Sequence, residues 1–201
     1  MGASLPRQLN LGCGYDKRAG FLNVDSDTNC RPDMLVDVLE MPSLPSGWFD
    51  EILALDVLEH LPRVETDRAL AEWTRLLRPG GTIHIRVPSY LHLVERLLCA
   101  GNYDSDEHHR STMHLAYGTQ AHGGDFHHTC FTPLSLREYL ARAGLGVREA
   151  DIMDGWMFEV VAVKGGPTVV DLTRRFGSRW QFTWRIARAL VREKLRALGI
   201  D

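Results

Sequence analysis

The sequence predicts an α/β fold built on a largely parallel sheet. Three observations carry that prediction. Short apolar runs alternate with helical periodicity along most of the 201 residues, the pattern of strands joined by crossover helices. The runs are apolar throughout, as in strands buried on both faces. The first four end in a glycine turn or an aspartate, at the edge where open α/β sheets bind ligands.

Gln8–Leu11 reads as the first strand, running into Gly12-Cys13-Gly14. Phe21–Val24 is the second, ending at Asp25, and Met34–Val36 the third, ending at Asp37. The interval from Gly14 to Asp25 is too short for the usual first helix, which is expected to be missing or reduced to a turn. Phe49–Leu55 is the fourth strand, ending at Asp56, and Thr82–Val87 the fifth, stopped by Pro88. Between them, Arg63 to Arg78 places Leu70, Trp73, Leu76 and Leu77 on one helical face, and Pro79-Gly80-Gly81 ends it. Ser89 opens a helix that buries Leu93, Val94, Leu97 and Leu98 and stops at Gly101. His84 alternates within a strand and is expected buried and hydrogen-bonded; His92 is expected exposed. Thr132 caps a further helix with Pro133 at its first position; Leu136, Leu140 and Ala143 form its apolar stripe and Gly144 its stop. Gly146–Ile152 and Met157–Val163 are the closing strands.

Two stretches break the alternation. Residues 101–131 read as a long polar loop, a length that marks a functional lid or disorder. Residues 164–201 begin with Gly165-Gly166-Pro167 and turn basic and helical. The expected division is therefore a domain over 1–163, with 101–131 as its acceptor-site insert, and a tail over 164–201.

Composition bounds the function. At 44% hydrophobic and 24% charged, a chain this long buries roughly 70% of its unfolded surface and needs no staple. Cys13, Cys30, Cys99 and Cys130 form no C-x-x-C pair and read as free thiols in a reducing cytoplasm. No apolar run is long enough for a spanning helix. The first residues lack a secretory signal, and Pro6 breaks the myristoylation pattern. The net charge of −3 argues against general nucleic-acid binding. That charge divides unevenly: nine Lys and Arg against three Asp and Glu give the tail +6, leaving −9 for residues 1–163. In the tail, Arg185, Arg188, Arg192 and Arg196 share one helical face, while Trp184, Ala187, Val191 and Leu198, widened by Ile186 and Leu190, line another. Such a helix packs on its own domain, pairs two copies of the chain, or meets an anionic membrane surface or carrier.

A lone G-x-G is a weak signal, and Lys17 stands where a dinucleotide fingerprint needs its third glycine. The ordered set Asp25, Asp37, Asp56 strengthens it. A carboxylate after the second strand suits two ribose hydroxyls; one after the third suits an exocyclic amine such as that of adenine. No G-K-[ST] follows, which excludes a nucleoside triphosphate clamp. LNLGCG, FLNVD, LVDV, FDEILALDVLEHL and LAEWTRLLRPGGTIHIRVP together resemble the class I S-adenosylmethionine-dependent methyltransferases over residues 8–163. They resemble most the type 11-like subgroup with a short first-helix region. The resemblance implies a Rossmann-like, seven-stranded, mostly parallel sheet with helices on both faces and one antiparallel strand near the end. It implies S-adenosylmethionine held by Leu11, Gly12, Cys13 and Gly14, ribose on Asp25, adenine between Asp37 and Val38, and Asp56, Val57 and His60 near the methionine portion. Asn10 stands where many relatives have Asp.

Methyl transfer from a sulfonium is an in-line displacement driven largely by alignment. A base is needed only where the acceptor arrives protonated. Asp56, Tyr15 and Trp156 are candidate neighbours for the sulfonium. The insert holds six of the nine histidines within 21 residues. By resemblance of DFHHTCFTPLSL, His127 or His128 is the expected base, with His127 ahead and His114 and Tyr117 as further candidates. A metal held by the insert's histidines with Cys130, Asp104, Asp106 and Glu107 is the less favoured reading, since the spacings match no zinc motif. The activity expected is methylation of an O or N on a small natural-product or sugar-like acceptor. The rivals are methylation of a membrane-associated glycan or lipid intermediate, and a non-catalytic cofactor-binding scaffold.

Overall fold

The computed structural model describes residues 4–98, 105–121 and 124–176, and from the tail 187–188, 191–192 and 194–196. Seven strands form one sheet: β1 (Gln8–Leu11), β2 (Phe21–Asp25), β3 (Met34–Leu35), β4 (Phe49–Leu55), β5 (Leu77–Pro88), β6 (Leu145–Met153) and β7 (Met157–Lys164). Their order is β3-β2-β1-β4-β5-β7-β6. The first five pair in parallel, and β7 runs antiparallel to both β5 and β6. Strand order reverses at β1–β4, the switch point that opens a crevice at the carboxyl ends of the strands.

The core is the one that the apolar runs require. Leu9, Leu11, Val24, Ile52, Ala54, Ile83 and Ile85 are fully buried. So are Leu70, Trp73 and Leu76 of α1 (Thr66–Leu76), and Leu136 and Leu140 of α4 (Pro133–Arg142). Trp73 Nε1 also donates to the Val38 carbonyl at 2.9 Å, tying α1 to the loop after β3. Thr132 and Ser135 complete a reciprocal capping box on α4.

Between β1 and β2 there is no helix, only turns. Two buried asparagines hold this short crossover. Asn10 Nδ2 donates to the Asp16 carbonyl at 2.9 Å and to Asn23 Oδ1 at 3.1 Å. Asn23 accepts from the Arg18 N–H at 2.7 Å and donates to Asp33 at 2.8 Å. Lys17 reaches Asp33 from the far side at 2.8 Å.

Several expectations change. The first helix begins as a 3-10 turn at Arg63–Glu65 and ends at Leu76. Leu77 is extended and fully buried and pairs with Phe49, so β5 starts five residues earlier than its apolar run. The proline that follows Arg78 disfavours continued helix there. The insert is not a bare loop: Asp106–Tyr117 form α3, capped by Ser105, with Asp106 and Glu107 in its first turn. Its polarity hid it, because only Thr112 is buried. His92, on α2 (Tyr90–Leu98), is buried rather than exposed. Its Nδ1 lies 2.7 Å from Ser89 Oγ and its ring meets Phe158 edge-on. His84 is half-buried, with Nε2 3.1 Å from Glu51.

After β7 the chain returns to the domain. Val169 and Val170 N–H groups donate to the Val147 carbonyl, and α5 (Leu172–Phe176) buries Leu172 completely. Ala187, Arg188, Val191, Arg192, Lys194, Leu195 and Arg196 are helical and exposed. Cys99, Asp104, His122, Trp184, Arg185, Ile186, Leu190 and Leu198 lie outside the described residues.

Candidate active site

A cavity of about 1060 Å³ opens at the carboxyl ends of β1, β2 and β4. Gly12 and Gly14 line it, both with positive φ, at 55° and 48°. A Cβ on Gly12 would stand 2.7 Å from Val57 Cγ2, so the loop after β1 packs directly on the turn after β4. Asp25 binds the same loop: Oδ2 accepts the Gly14 N–H at 2.7 Å and Oδ1 the Asp27 N–H at 2.9 Å. Val38, Val57, His60 and Asp56 complete the predicted part of the wall. Asp56 is left-handed, with φ 58°, and forms a two-point ion pair with Arg86 of β5, Nε to Oδ1 at 2.8 Å.

Three predicted residues do not line this cavity. Leu11 is fully buried in the core. Cys13 is buried, and burial, with Asp25 close by, pushes its thiol up to about 11. Asp37 turns its carboxylate to the Leu39 N–H at 2.9 Å, which shapes the loop that presents Val38. Conversely, Ser26, Asp27, Asn29, Cys30, Leu61, Phe126 and Gly124 line the cavity without having been singled out. The polar run Ser26-Asp27-Thr28-Asn29 directly after β2 was the available signal for three of these. Tyr15 lines the cavity as well, whereas Trp156 sits in the β6–β7 turn with its carbonyl on Ser89.

A second cavity of about 490 Å³ adjoins, lined by Tyr90, Tyr117, His127, His128 and Cys130 among others. His128 lines both cavities; His127 and Tyr117 line only the smaller, and exposed His114 lines neither. The boundary between them is made by two segments distant in sequence. The Glu59 carbonyl accepts the N–H groups of His128 at 2.8 Å and Thr129 at 3.2 Å. His60 Nδ1 lies 3.1 Å from the Phe126 carbonyl, and His127 Nδ1 lies 3.1 Å from the Leu115 carbonyl. The two imidazoles meet edge-on at 4.9 Å. Burial pulls the His127 pKa below the ordinary value, with His60 acting in the same direction. Beneath them the Glu59 side chain is fully buried, and among the described residues neither carboxyl oxygen accepts a hydrogen bond from another residue. Burial pushes its carboxyl up to about 8, against the pull of its own backbone N–H.

Residues 5–85 match the family described as Methyltransferase domain. Over these residues the chain is similar to that domain. The match supports an enzyme that transfers a methyl group. Solved S-adenosylmethionine-dependent methyltransferases share the fold of this chain at low identity. One from Methanosarcina mazei is 14% identical over 81% of this chain and 94% of its own, with a TM-score of 0.57. One from Mesorhizobium loti is 17% identical over 80% and 93%, also with a TM-score of 0.57. The 1,6-didemethyltoxoflavin-N1-methyltransferase of Burkholderia thailandensis, solved with its substrate and S-adenosylhomocysteine, is 18% identical over 79% and 71%, with a TM-score of 0.54. No curated protein matches the sequence significantly.

Proposed function

We propose that the larger cavity holds S-adenosylmethionine and the smaller one a small-molecule acceptor, whose oxygen or nitrogen attacks the methyl group across their shared wall. The observation that carries this reading is His128, the one predicted catalytic side chain lining both spaces. Asp25 takes the ribose hydroxyls, Gly12 and Gly14 let the backbone approach the amino-acid end, and Val38 flanks the adenine. The volume of about 490 Å³ suits a compact acceptor. The Burkholderia neighbour, whose acceptor is a small heterocycle nitrogen, supports the same class.

In the transfer the sulfonium S–CH3 bond breaks as the acceptor–CH3 bond forms, and S-adenosylhomocysteine leaves with the sulfur lone pair. His128 takes the proton that a hydroxyl or ammonium acceptor releases. Of the two bases expected, His127 and His128, the position on the shared wall favours His128.

Calorimetry with S-adenosylhomocysteine tests the cofactor half. Wild type binds, and Asp25→Asn weakens binding at least tenfold; a variant that binds as wild type removes the ribose assignment. Turnover of an oxygen acceptor by His128→Ala, compared between pH 7 and 9, tests the base: the variant loses rate and regains part of it at high pH. Unchanged turnover rejects a base at this position.

A second reading rests on the tail. Val191 and Leu195 are exposed beside Arg188, Arg192, Lys194 and Arg196 in helical backbone. A basic, partly apolar surface of this kind suits anionic headgroups and hence a membrane-associated acceptor. Liposome flotation of the full chain against a chain ending at Phe176 decides it; equal flotation removes this reading.

A further inference from the structure

We infer that Glu59, His60 and His127 form a binding site for a first-row divalent transition metal on the wall between the two cavities. The proposal rests on the methyltransferase reading for its role and deepens it. The ligand-capable atoms of the three side chains lie within 4.8 Å of one another. Zinc–ligand bonds of 2.0–2.2 Å set tetrahedral donors about 3.5 Å apart, a closure that small side-chain rotations provide.

Three independent features favour the site. The Glu59 carboxyl group is fully buried and, among the described residues, receives no hydrogen bond from the side chain or backbone of another residue, a costly state unless something else meets it. Both histidines are already oriented. A carbonyl oxygen only accepts, so His60 Nδ1 carries a hydrogen for Phe126 and His127 Nδ1 one for Leu115. With Nδ1 engaged in this way, Nε2 is the nitrogen left to face a ligand, the arrangement that metal-ligating histidines show when a backbone carbonyl fixes the second nitrogen. The two segments are also locked together. The Glu59 carbonyl holds His128 and Thr129, and Thr129 Oγ1 donates to the Leu61 carbonyl at 3.3 Å, so the ligands approach through a rigid junction.

Two imidazoles and one carboxylate select zinc, iron or nickel rather than magnesium. Three protein ligands leave a coordination position open, the catalytic rather than the structural pattern. His60 lines the larger cavity and His127 the smaller, so the open position faces the acceptor. The ligand class it takes is an acceptor oxygen, hydroxyl or carboxylate, held for the methyl group.

The test uses the full, tag-free chain after dialysis against a chelator. Titration calorimetry with zinc chloride is expected to show one ion per chain, with magnesium chloride giving no heat at the same concentration. His127→Ala and Glu59→Gln each weaken zinc at least tenfold, whereas His108→Ala with His109→Ala leaves it unchanged. His127 is half-buried, so His127→Asn carries the test if Glu59→Gln does not fold, as judged by circular dichroism. Absence of zinc binding in wild type, equal binding in the His127 variants, or loss only in the His108/His109 variant overturns the site. S-adenosylhomocysteine titrated into the same samples separates the two readings. Homocysteine-nucleoside binding without zinc removes the metal alone, and zinc without nucleoside binding removes the cofactor reading alone.

Discussion

Replacing Asn10 with aspartate, the residue many relatives carry there, should damage this protein. Asn10 is 5% exposed and donates both to the Asp16 carbonyl and to Asn23 Oδ1. A carboxylate has no hydrogen to give and presents oxygen to two oxygens. The Asp16 carbonyl loses its partner at a cost of about 1–3 kcal/mol, and Asn23 Oδ1, which keeps the Arg18 N–H, meets a repelling oxygen at a cost of similar order. The Asp16 carbonyl is only part-buried, which places the sum near 2–5 kcal/mol. At about 2–4 °C per kcal/mol for a chain of this size, the melting temperature falls by roughly 4–20 °C. The sign with pH follows. Facing acceptors, the new carboxyl is raised in the folded state above its unfolded value of about 3.9. The penalty is absent below that value and grows as pH rises, because ionisation then favours the unfolded chain. Thermal melts by circular dichroism at pH 4.5 and 8 should show a deficit against wild type that is wider at pH 8. Asn10→Ala, which loses the donors without adding charge, should show a deficit independent of pH. A variant as stable as wild type at pH 8, or a deficit widest at pH 4.5, would refute the reasoning.

Gly12→Ala forces a Cβ onto Val57 and costs about 1–3 kcal/mol of overpacking plus about 1–2 for left-handed backbone. Gly14→Ala meets no atom within 4 Å and pays only the backbone part; equal melting temperatures would contradict this geometry. Asp33 is held at about 2 by Lys17 and by Asn23. Its contribution is present above about pH 4 and lost as pH falls toward 2. Both partners are about 40% exposed, so screening keeps that contribution below about 1 kcal/mol. Urea melts of Asp33→Asn should therefore show a shallower acid slope than wild type, and an identical slope removes the assignment. Burial raises the Cys13 and Cys130 thiols to about 11, so alkylation by iodoacetamide at pH 8 should run roughly 100-fold slower than in the unfolded chain. Peptide mass mapping reads this, and an unfolded-like rate at either site would count against it.

Much of the scaffold was legible because it obeys local rules. Continuous apolar runs marked β1, β2 and β4 almost to the residue, and Thr132-Pro133 marked the start of α4. The failures share a cause, which is that tertiary partners are invisible in a local window. α3 carries no apolar stripe, so periodicity had nothing to detect. His92 looked solvated until Ser89 supplied a polar partner and Phe158 an aromatic one. Asp25 could be read from its place after a strand. Glu59 and His127 stand 68 residues apart, and only the docking of His128 and Thr129 on the Glu59 carbonyl brings them together. Asn10 looked like a departure from pattern. Its reason appears once the first helix is seen to be absent: the Asp16 carbonyl in the replacement turn needs a donor, and an amide supplies one where a carboxylate does not.

The distribution of charge around the larger cavity follows from the same details. Asp56 and Asp25 both close strands and both line the wall, yet they are held differently. Asp56 is answered by a guanidinium, so little of its charge is left for a ligand. Asp25 is held by two backbone N–H groups, and among the described residues it forms no side-chain ion pair. Asp27 beside it caps a short turn through the Asn29 N–H. Backbone dipoles orient a carboxylate without neutralising it. The negative field of the cavity therefore originates at the end of β2, and a cationic cosubstrate is drawn to that side. The end of β4, with its charge balanced, shapes the passage toward His60 and the second cavity. Three aspartates that look equivalent in the sequence thus divide the work: Asp25 supplies field, Asp37 folds the loop that carries Val38, and Asp56 braces β4 against β5.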